Sequence, residues 1–225
     1  MTLRLSTVHK DFRLVLRAAT SFWEVSILRR LFGTDGVRGV ANRDLKPELA
    51  FQLGRAGAAV LAGQGGRPRI LIGRDTRVSG EMLEAALAAG CTSVGADVIR
   101  LGIIPTPGVA YLTRAMGANA AAMISASHNP VPDNGIKFFA GDGYKLPDEV
   151  EDEIERHLHE GEDLLPRPTG VEVGRIHEEP EAWRRYAGFL CRSSTERLEG
   201  LRIVVDCGYG DRKSTRLNSS HGIIW

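Results

Sequence analysis

The sequence predicts an α/β fold: a mixed, largely parallel sheet between helices, followed by the start of a second, incomplete α/β domain. Two observations carry this. Short apolar runs alternate with helical patterns of about 10–15 residues, the order that βα units produce. Glycine is also abundant, at 26 of 225 residues, against an average near 7%. Such a chain is rich in tight turns and close backbone approaches.

The elements follow in order. Pro47 suits the first turn of a helix whose Leu49, Leu53, Val60 and Leu61 share one face. The run Arg69–Gly73 reads as a buried strand. Ser79 is expected to cap a helix that carries Met82, Leu83, Ala86 and Leu87 and ends near Gly95. Ala96–Leu101 reads as the next strand. Thr106 is expected as a cap with Pro107 at the first helical position, and Gly117 closes that helix. Ala120–Ile124 and Gly135–Ala140 are strand-like, and Val150, Ile154 and Leu158 recur every four residues in an acidic helix. Pro166, Pro168 and Gly170 mark a linker, after which a helix at Glu181–Cys191 and a strand at Leu201–Asp206 open the second unit. A lone βα pair cannot bury both faces of its strand, so apolar surface around Ile203–Val205 is expected to be exposed.

The expected organisation is therefore an extension over residues 1–30, a first α/β domain over 31–165, a linker over 166–180, the start of a second domain over 181–210, and a tail over 211–225. Met1–Arg30 is basic, lacks glycine and follows neither a 3.6 nor a 2.0 period. Lys10, Arg13 and Arg17 break any secretory apolar core, which leaves a start codon assigned too far upstream or an organellar transit peptide, the former preferred. Asp211–His221 reads as eleven consecutive codons of sequencing-adapter DNA, so the coding frame is expected to run into adapter at residue 211.

Composition excludes several classes. With 29 basic and 28 acidic side chains and 43% hydrophobic residues, the chain is neither disordered nor a membrane bundle. Residues 146–210 hold 8 basic and 16 acidic side chains, read as a solvated helix face. No basic stripe with interleaved aromatics marks a nucleic-acid surface, and no apolar run approaches the roughly 18 residues of a membrane span. Cys91, Cys191 and Cys207 lie far apart without metal spacing, which fits a reducing, cytoplasmic compartment. No protein partner is indicated.

Four loops after strands or before helices concentrate Gly, Asp, Arg and Ser: Gly33–Gly39, Gly73–Gly80, Ser125–Pro130 and Asp133–Lys137. In open α/β sheets ligands bind outside the carboxyl ends of strands. Glycines admit backbone N–H groups to an anion, and Arg offers a bidentate fork to phosphate oxygens. A phosphorylated small molecule is the matching ligand class. Neither GxGxxG nor GxxxxGK[ST] is present. Ser127 follows a buried strand in a turn with His128 and Asn129, a place that also suits a plain turn former. A serine hydroxyl needs an adjacent base or metal to act as a nucleophile, and no GxSxG elbow signals a hydrolase. Lys137 could carry a proton, pair with phosphate, or simply face solvent. His157 and His159, two apart on a helix, do not form a metal pair.

The strings Leu31-Phe-Gly-Thr-Asp-Gly-Val-Arg-Gly39, Gly73-Arg-Asp-Thr-Arg-Val-Ser-Gly80 and Ile124-Ser-Ala-Ser-His-Asn-Pro130 together resemble the alpha-D-phosphohexomutase superfamily. Phe32–Gly36 and Asp133-Asn-Gly-Ile-Lys-Phe-Phe139 are similar to its phosphoglucosamine mutase branch. The resemblance spans about Arg30 to Gly210. It implies an isomerase interconverting glucosamine 6-phosphate and glucosamine 1-phosphate, on the route to peptidoglycan precursors, through a phosphoserine at Ser127 and a bisphosphate intermediate. It further implies that Ser127, Lys137, Arg38 and His128 are catalytic, and that Thr34, Asp35, Arg38, Asn129 and Lys137 bind substrate or phosphate. Lys137 is the expected proton carrier, with His128 and Asn129 shaping the serine loop. The implied cofactor is Mg²⁺, which Ser127 would meet through its phosphate.

The sequence also departs from that pattern. The DGDxDR-type loop whose aspartates hold magnesium in the superfamily is missing, as are its sugar-selecting and phosphate-binding domains. The fragment as written is therefore expected to be inactive. Two other readings stay open: a phosphomannomutase/phosphoglucomutase of the same superfamily, and a non-catalytic phosphosugar-binding module.

Overall fold

The computed structural model describes residues 30–62, 67–159, 163–193, 200, 202–204 and 223–224. The chain divides into two units, Met1–Leu31 and Phe32–Trp225; the architecture below is that of the second. The extension over residues 1–29 and Asp211–His221 lie outside the described residues.

Six strands form one sheet. In chain order the elements are β1 (Val37–Val40), α1 (Pro47–Val60), β2 (Arg69–Arg74), α2 (Ser79–Ser93), β3 (Asp97–Ile103), α3 (Thr106–Ala115), β4 (Ala120–Ile124), β5 (Asp133–Ala140) and α4 (Asp148–His159). A 3₁₀ turn (Gly170–Glu172), β6 (Ile176–Glu178) and α5 (Ala182–Ser193) follow. The sheet order is β1-β5-β4-β2-β3-β6. Strands β4, β2, β3 and β6 pair in parallel, whereas β5 is antiparallel to both β4 and β1. A separate two-residue ladder joins β7 (Ile203–Val204) to β8 (Ile223–Ile224).

Helices cover both faces, and the central strand β4 is apolar throughout for that reason. All five residues of β4, Ala-Ala-Ala-Met-Ile, are buried. On one face Leu71, Leu101, Met123 and Phe139 pack with Val109 and Leu112 of α3 and Ala182 of α5. On the other, Phe138 meets α1 so closely that a Cβ at Gly57 would stand 2.8 Å from its ring. Phe32 adds a tilted ring contact to Phe138 at 6.5 Å. Each such fully buried large side chain contributes about 1.5–3 kcal/mol.

Several expectations change. Strands β1 and β6 were not anticipated: both are short edge strands, one carrying Arg38 and Gly39, the other exposed along all three residues, and half-exposed edges leave little apolar signal. Ser79 does not cap α2. It is the first helical residue, Val78 occupies the cap position without a side-chain cap bond, and the Ser79 hydroxyl accepts from Asn134 Nδ2 at 2.9 Å. Thr106 likewise lies inside α3, because Pro105 holds the extended cap conformation. The buried residues of α1 are Ala50, Leu53, Gly54, Arg55, Ala56, Gly57 and Ala58 rather than a leucine face, and α2 approaches so closely at Gly54 that a Cβ there would stand 2.3 Å from the Leu87 carbonyl oxygen. In α4 the acidic face is not wholly solvated. Glu151 is buried and takes Lys145 Nζ at 3.0 Å, and Glu155 accepts the Phe32 N–H at 3.3 Å.

The two closing glycines stand where expected. Gly95 and Gly117 close α2 and α3 with φ of 93° and 59°. Val204 is 87% exposed. No helix among the described residues is long and apolar enough to cross a membrane.

Candidate active site

Strands β2 and β4 run in parallel and end at Arg74 and Ile124, so the loops that begin at Asp75 and Ser125 emerge side by side. The Asp75 N–H donates to the Ile124 carbonyl at 3.0 Å. Strand β5 then returns antiparallel and carries Gly135 and Lys137 past β1, with Arg38 paired to Gly135. The topology gathers all four glycine-rich segments along one edge of the sheet.

A tight turn opens the site. Gly33 and Gly36 exchange backbone hydrogen bonds of 3.1 Å in both directions, which leaves Thr34 and Asp35 exposed at the tip. Gly36 is required there: its φ is 80°, and a Cβ would stand 2.3 Å from the Ile136 carbonyl oxygen. Asp35 faces two cations, Arg38 Nη1 at 3.3 Å and Lys137 Nζ at 4.0 Å. Arg38 keeps its Nε buried and without a hydrogen-bond partner. These half-exposed pairs contribute little stability; what they provide is two cationic groups held beside one edge.

Ser127 occupies the loop after β4 in a left-handed conformation, φ 54°, uncommon for a non-glycine residue and sustained only where surroundings enforce it. The enforcement is visible. The Ser127 N–H donates to Ser125 Oγ at 3.0 Å, and the Ser125 hydroxyl donates to Asp75 Oδ2 at 2.7 Å. Ser127 and His128 are exposed, and the Ser127 hydroxyl lies 3.4 Å from His128 Nδ1, too long for a strong hydrogen bond. Asn129 turns inward, its amide donating to Asp133 Oδ2 at 3.1 Å.

The structure thus unites Asp35, Arg38 and Lys137, holds Ser127, His128 and Asn129 in one loop, and joins the two groups at Gly135. A Cβ on Gly135 would lie 2.8 Å from both Arg38 Cγ and the Ser125 carbonyl oxygen. Not every loop arginine is available as a phosphate fork. Arg74 is committed to Glu81 and Glu84, at 3.0 and 3.2 Å, and Arg77 to main-chain carbonyls and Asp75. Asp75, Arg77 and Ser125 were not singled out from sequence, because the Asp75–Ser125 and Arg77–Ser127 contacts each span fifty positions and only the fold makes them. Two cavities of about 600 and 680 Å³ lie elsewhere, one lined by Arg55, His157 and Asp163, the other by Arg67, Gly95 and Pro168.

The residues present do not by themselves fit magnesium. Among the described residues no group of three or more His, Cys, Asp or Glu could hold a metal ion. Asp75 is engaged by Arg77 and Ser125, and Asp35 by Arg38 and Lys137.

The fold is that of a phosphohexomutase first domain, an α/β/α layer with glycine-rich loops beyond the carboxyl ends of β2 and β4. The family model described as phosphoglucomutase/phosphomannomutase, alpha/beta/alpha domain I, matches residues 29–164, and the chain belongs to that family. It is 63% identical over 181 residues to a phosphoglucosamine mutase of Moorella thermoacetica and 57% identical over 185 residues to one of Bacillus subtilis. The alignments cover 80% and 82% of this chain but 41% of each relative. The chain thus spans about two-fifths of the length of the curated relatives it matches. Among solved structures, a Thermus thermophilus protein described as a phosphomannomutase aligns with a TM-score of 0.59 at 28% identity, over 72% of this chain and 35% of its own. A phosphoglucomutase/phosphomannomutase family protein from Burkholderia thailandensis, 24% identical, shares the fold with a TM-score of 0.58 over 69% and 34%.

Proposed function

We propose that this chain is the N-terminal segment of a phosphoglucosamine mutase, an isomerase that interconverts glucosamine 6-phosphate and glucosamine 1-phosphate. One observation carries the reading: an exposed serine, Ser127, held in a left-handed turn of a loop that meets the Arg38 side chain at Gly135, in a chain 63% identical to an enzyme of that name.

In this reading Ser127 carries a phosphoryl group. A sugar hydroxyl oxygen attacks phosphorus, the bond to Ser127 Oγ breaks, and the hydroxyl proton passes by way of Lys137 to Ser127 Oγ, which leaves as a hydroxyl. The resulting bisphosphate turns over in the site. The Ser127 hydroxyl then attacks the other phosphate, the bond from that phosphorus to the sugar oxygen breaks, and the serine proton passes by way of Lys137 to the sugar oxygen. Charge spreads over the equatorial phosphoryl oxygens in such a transition state, so positioning and electrostatics supply most of the catalysis. Arg38 provides the positive field, which Lys137 joins once it holds the proton, Thr34 and Asp35 line its edge, and His128 and Asn129 shape the serine loop. Magnesium belongs to the longer enzyme, with phospho-Ser127 as this segment's donor. The substrate is a phosphorylated hexosamine, the product serves peptidoglycan precursor synthesis, and the compartment is the cytoplasm. The sequence limits of 31–165 for the first domain, 166–180 for a linker and 181–210 for the start of the second are revised in this proposal: β6 pairs with β3 and Ala182 of α5 packs in the first domain's core, so that domain is proposed to run through Ser193.

The test has two parts. Genomic sequence read past the codon for Gly210 is expected to continue into a DGDxDR-type loop. The encoded full-length protein is then expected to interconvert the two glucosamine phosphates, while the 225-residue chain does not. A genome that encodes Asp211–Trp225 and stops, or turnover by the 225-residue chain, contradicts the reading.

A further inference from the structure

Arg77 uses its whole donor set on protein. Its Nη1 donates to the carbonyls of Pro130 at 2.7 Å and Asp133 at 3.1 Å. Its Nη2 donates to those of Ser127 and Asn129, both at 2.9 Å, and its Nε to Asp75 Oδ2 at 3.1 Å. Those contacts match the five N–H donors of a guanidinium. Its side chain is 11% exposed, so little of it is left for a substrate.

The contacts close a ring. Asp75 Oδ2 takes both Arg77 Nε and the Ser125 hydroxyl, and Ser125 Oγ takes the Ser127 N–H. Arg77 Nη2 donates to the Ser127 carbonyl. Both backbone groups of Ser127 are therefore tied to one network through Asp75. A left-handed serine peptide held at each end has a fixed Cα–Cβ direction, which restricts the positions its hydroxyl can take towards a reacting phosphorus.

We infer that Arg77 is a positioning residue: it acts on the reaction through the backbone of Ser127, with Asp75 and Ser125 completing the ring, and it does not bind the sugar phosphate. The inference rests on the reading of Ser127 as the phosphoryl carrier. It distinguishes Arg77 from Arg38 and Lys137, whose charges stand at the edge of the site. Lysine cannot replace it, because an ammonium has three donors and no planar fork.

The test uses the full-length mutase carrying this segment. Arg77→Lys is expected to lower kcat on the order of 100-fold while KM stays within about threefold. Added guanidinium ion is expected to restore activity to Arg77→Ala by about tenfold, which would not follow if the residue only stabilised the fold. A kcat for Arg77→Lys within about threefold of the parent, or a loss of activity that follows a lowered melting temperature with no guanidinium rescue, overturns the inference. Should the Arg77 variants fail to fold, Ser125→Ala breaks the same ring by removing one hydroxyl; it is expected to give the same kcat loss at constant KM, and normal kcat overturns the inference. Ser127→Ala in the same assay separates the two levels. Activity retained there removes the underlying reading, whereas an inactive Ser127→Ala beside a normal Arg77→Lys removes the positioning role alone.

Discussion

Arg38 and Gly135 face each other across the β1–β5 ladder, and the arginine side chain lies where a Gly135 Cβ would be: the added carbon would stand 2.8 Å from Arg38 Cγ. The same carbon would stand 2.8 Å from the Ser125 carbonyl oxygen. The absence of a side chain at Gly135 thus lets the arginine and the serine loop share one place. Gly135→Ala is expected to destabilise the fold by about 1–3 kcal/mol through overpacking, and to lower mutase turnover in the full-length enzyme more than Gly188→Ala, whose added carbon would meet only the tip of Arg192 at 3.3 Å. Denaturant unfolding and steady-state kinetics check the two halves.

Helices α1 and α2 make a comparable close approach. A Cβ on Gly54 would lie 2.3 Å from the Leu87 carbonyl oxygen, and one on Gly90 would lie 2.1 Å from that of Phe51. Backbone cannot yield as a side-chain tip can. Gly90→Ala is expected to cost about 3 kcal/mol, whereas Ala89→Gly, at an exposed position of the same helix, should cost about 1 kcal/mol from propensity alone. Urea midpoints of the two variants decide.

Asp163 gives the fold a pH-dependent tie. Hydrogen bonds from Arg55 and then Arg167 hold its carboxyl at about 2, below the ordinary 3.8. Its contribution is fully present above the unfolded value and is lost as pH falls through the folded one. The stability difference between the parent and Asp163→Asn is therefore expected to be constant above pH 5 and to shrink as pH is lowered from about 4 towards 2. Thermal melts across that range measure it; a difference that grows on acidification contradicts the assignment.

The described cysteines should differ in reactivity. Cys91 is buried, and burial pushes its thiol up to about 12, so it is protonated and shielded at neutral pH. Cys191 is exposed. A thiol reagent is expected to modify Cys191 in the native protein and Cys91 only on unfolding, read by peptide mapping, and Cys91→Ser should affect turnover mildly.

The buried strands and glycine-closed helices were legible in the sequence, because burial on both faces writes continuous apolar runs and a left-handed closing residue selects glycine. Strands β1 and β6 were not, since an edge strand such as Val37–Val40 is defined by its partner rather than its hydrophobicity. The cap positions of Ser79 and Thr106 misled for a related reason: the preceding Val78 and Pro105 take the cap place, and Ser79 serves Asn134 instead. At the site, the motif strings pointed to Ser127, Arg38 and Lys137. They gave no sign that Arg77, in the same kind of loop, would be consumed by carbonyls some fifty positions away.

The central claim is that Ser127 carries the phosphoryl group. Tandem mass spectrometry of the purified full-length enzyme, after incubation with a hexose 1,6-bisphosphate, reads it directly. Phosphate on Ser127, discharged by glucosamine 6-phosphate and absent from Ser127→Ala, is the expected result. An unmodified Ser127 in an enzyme that turns over substrate, or phosphate on a different residue, would contradict it.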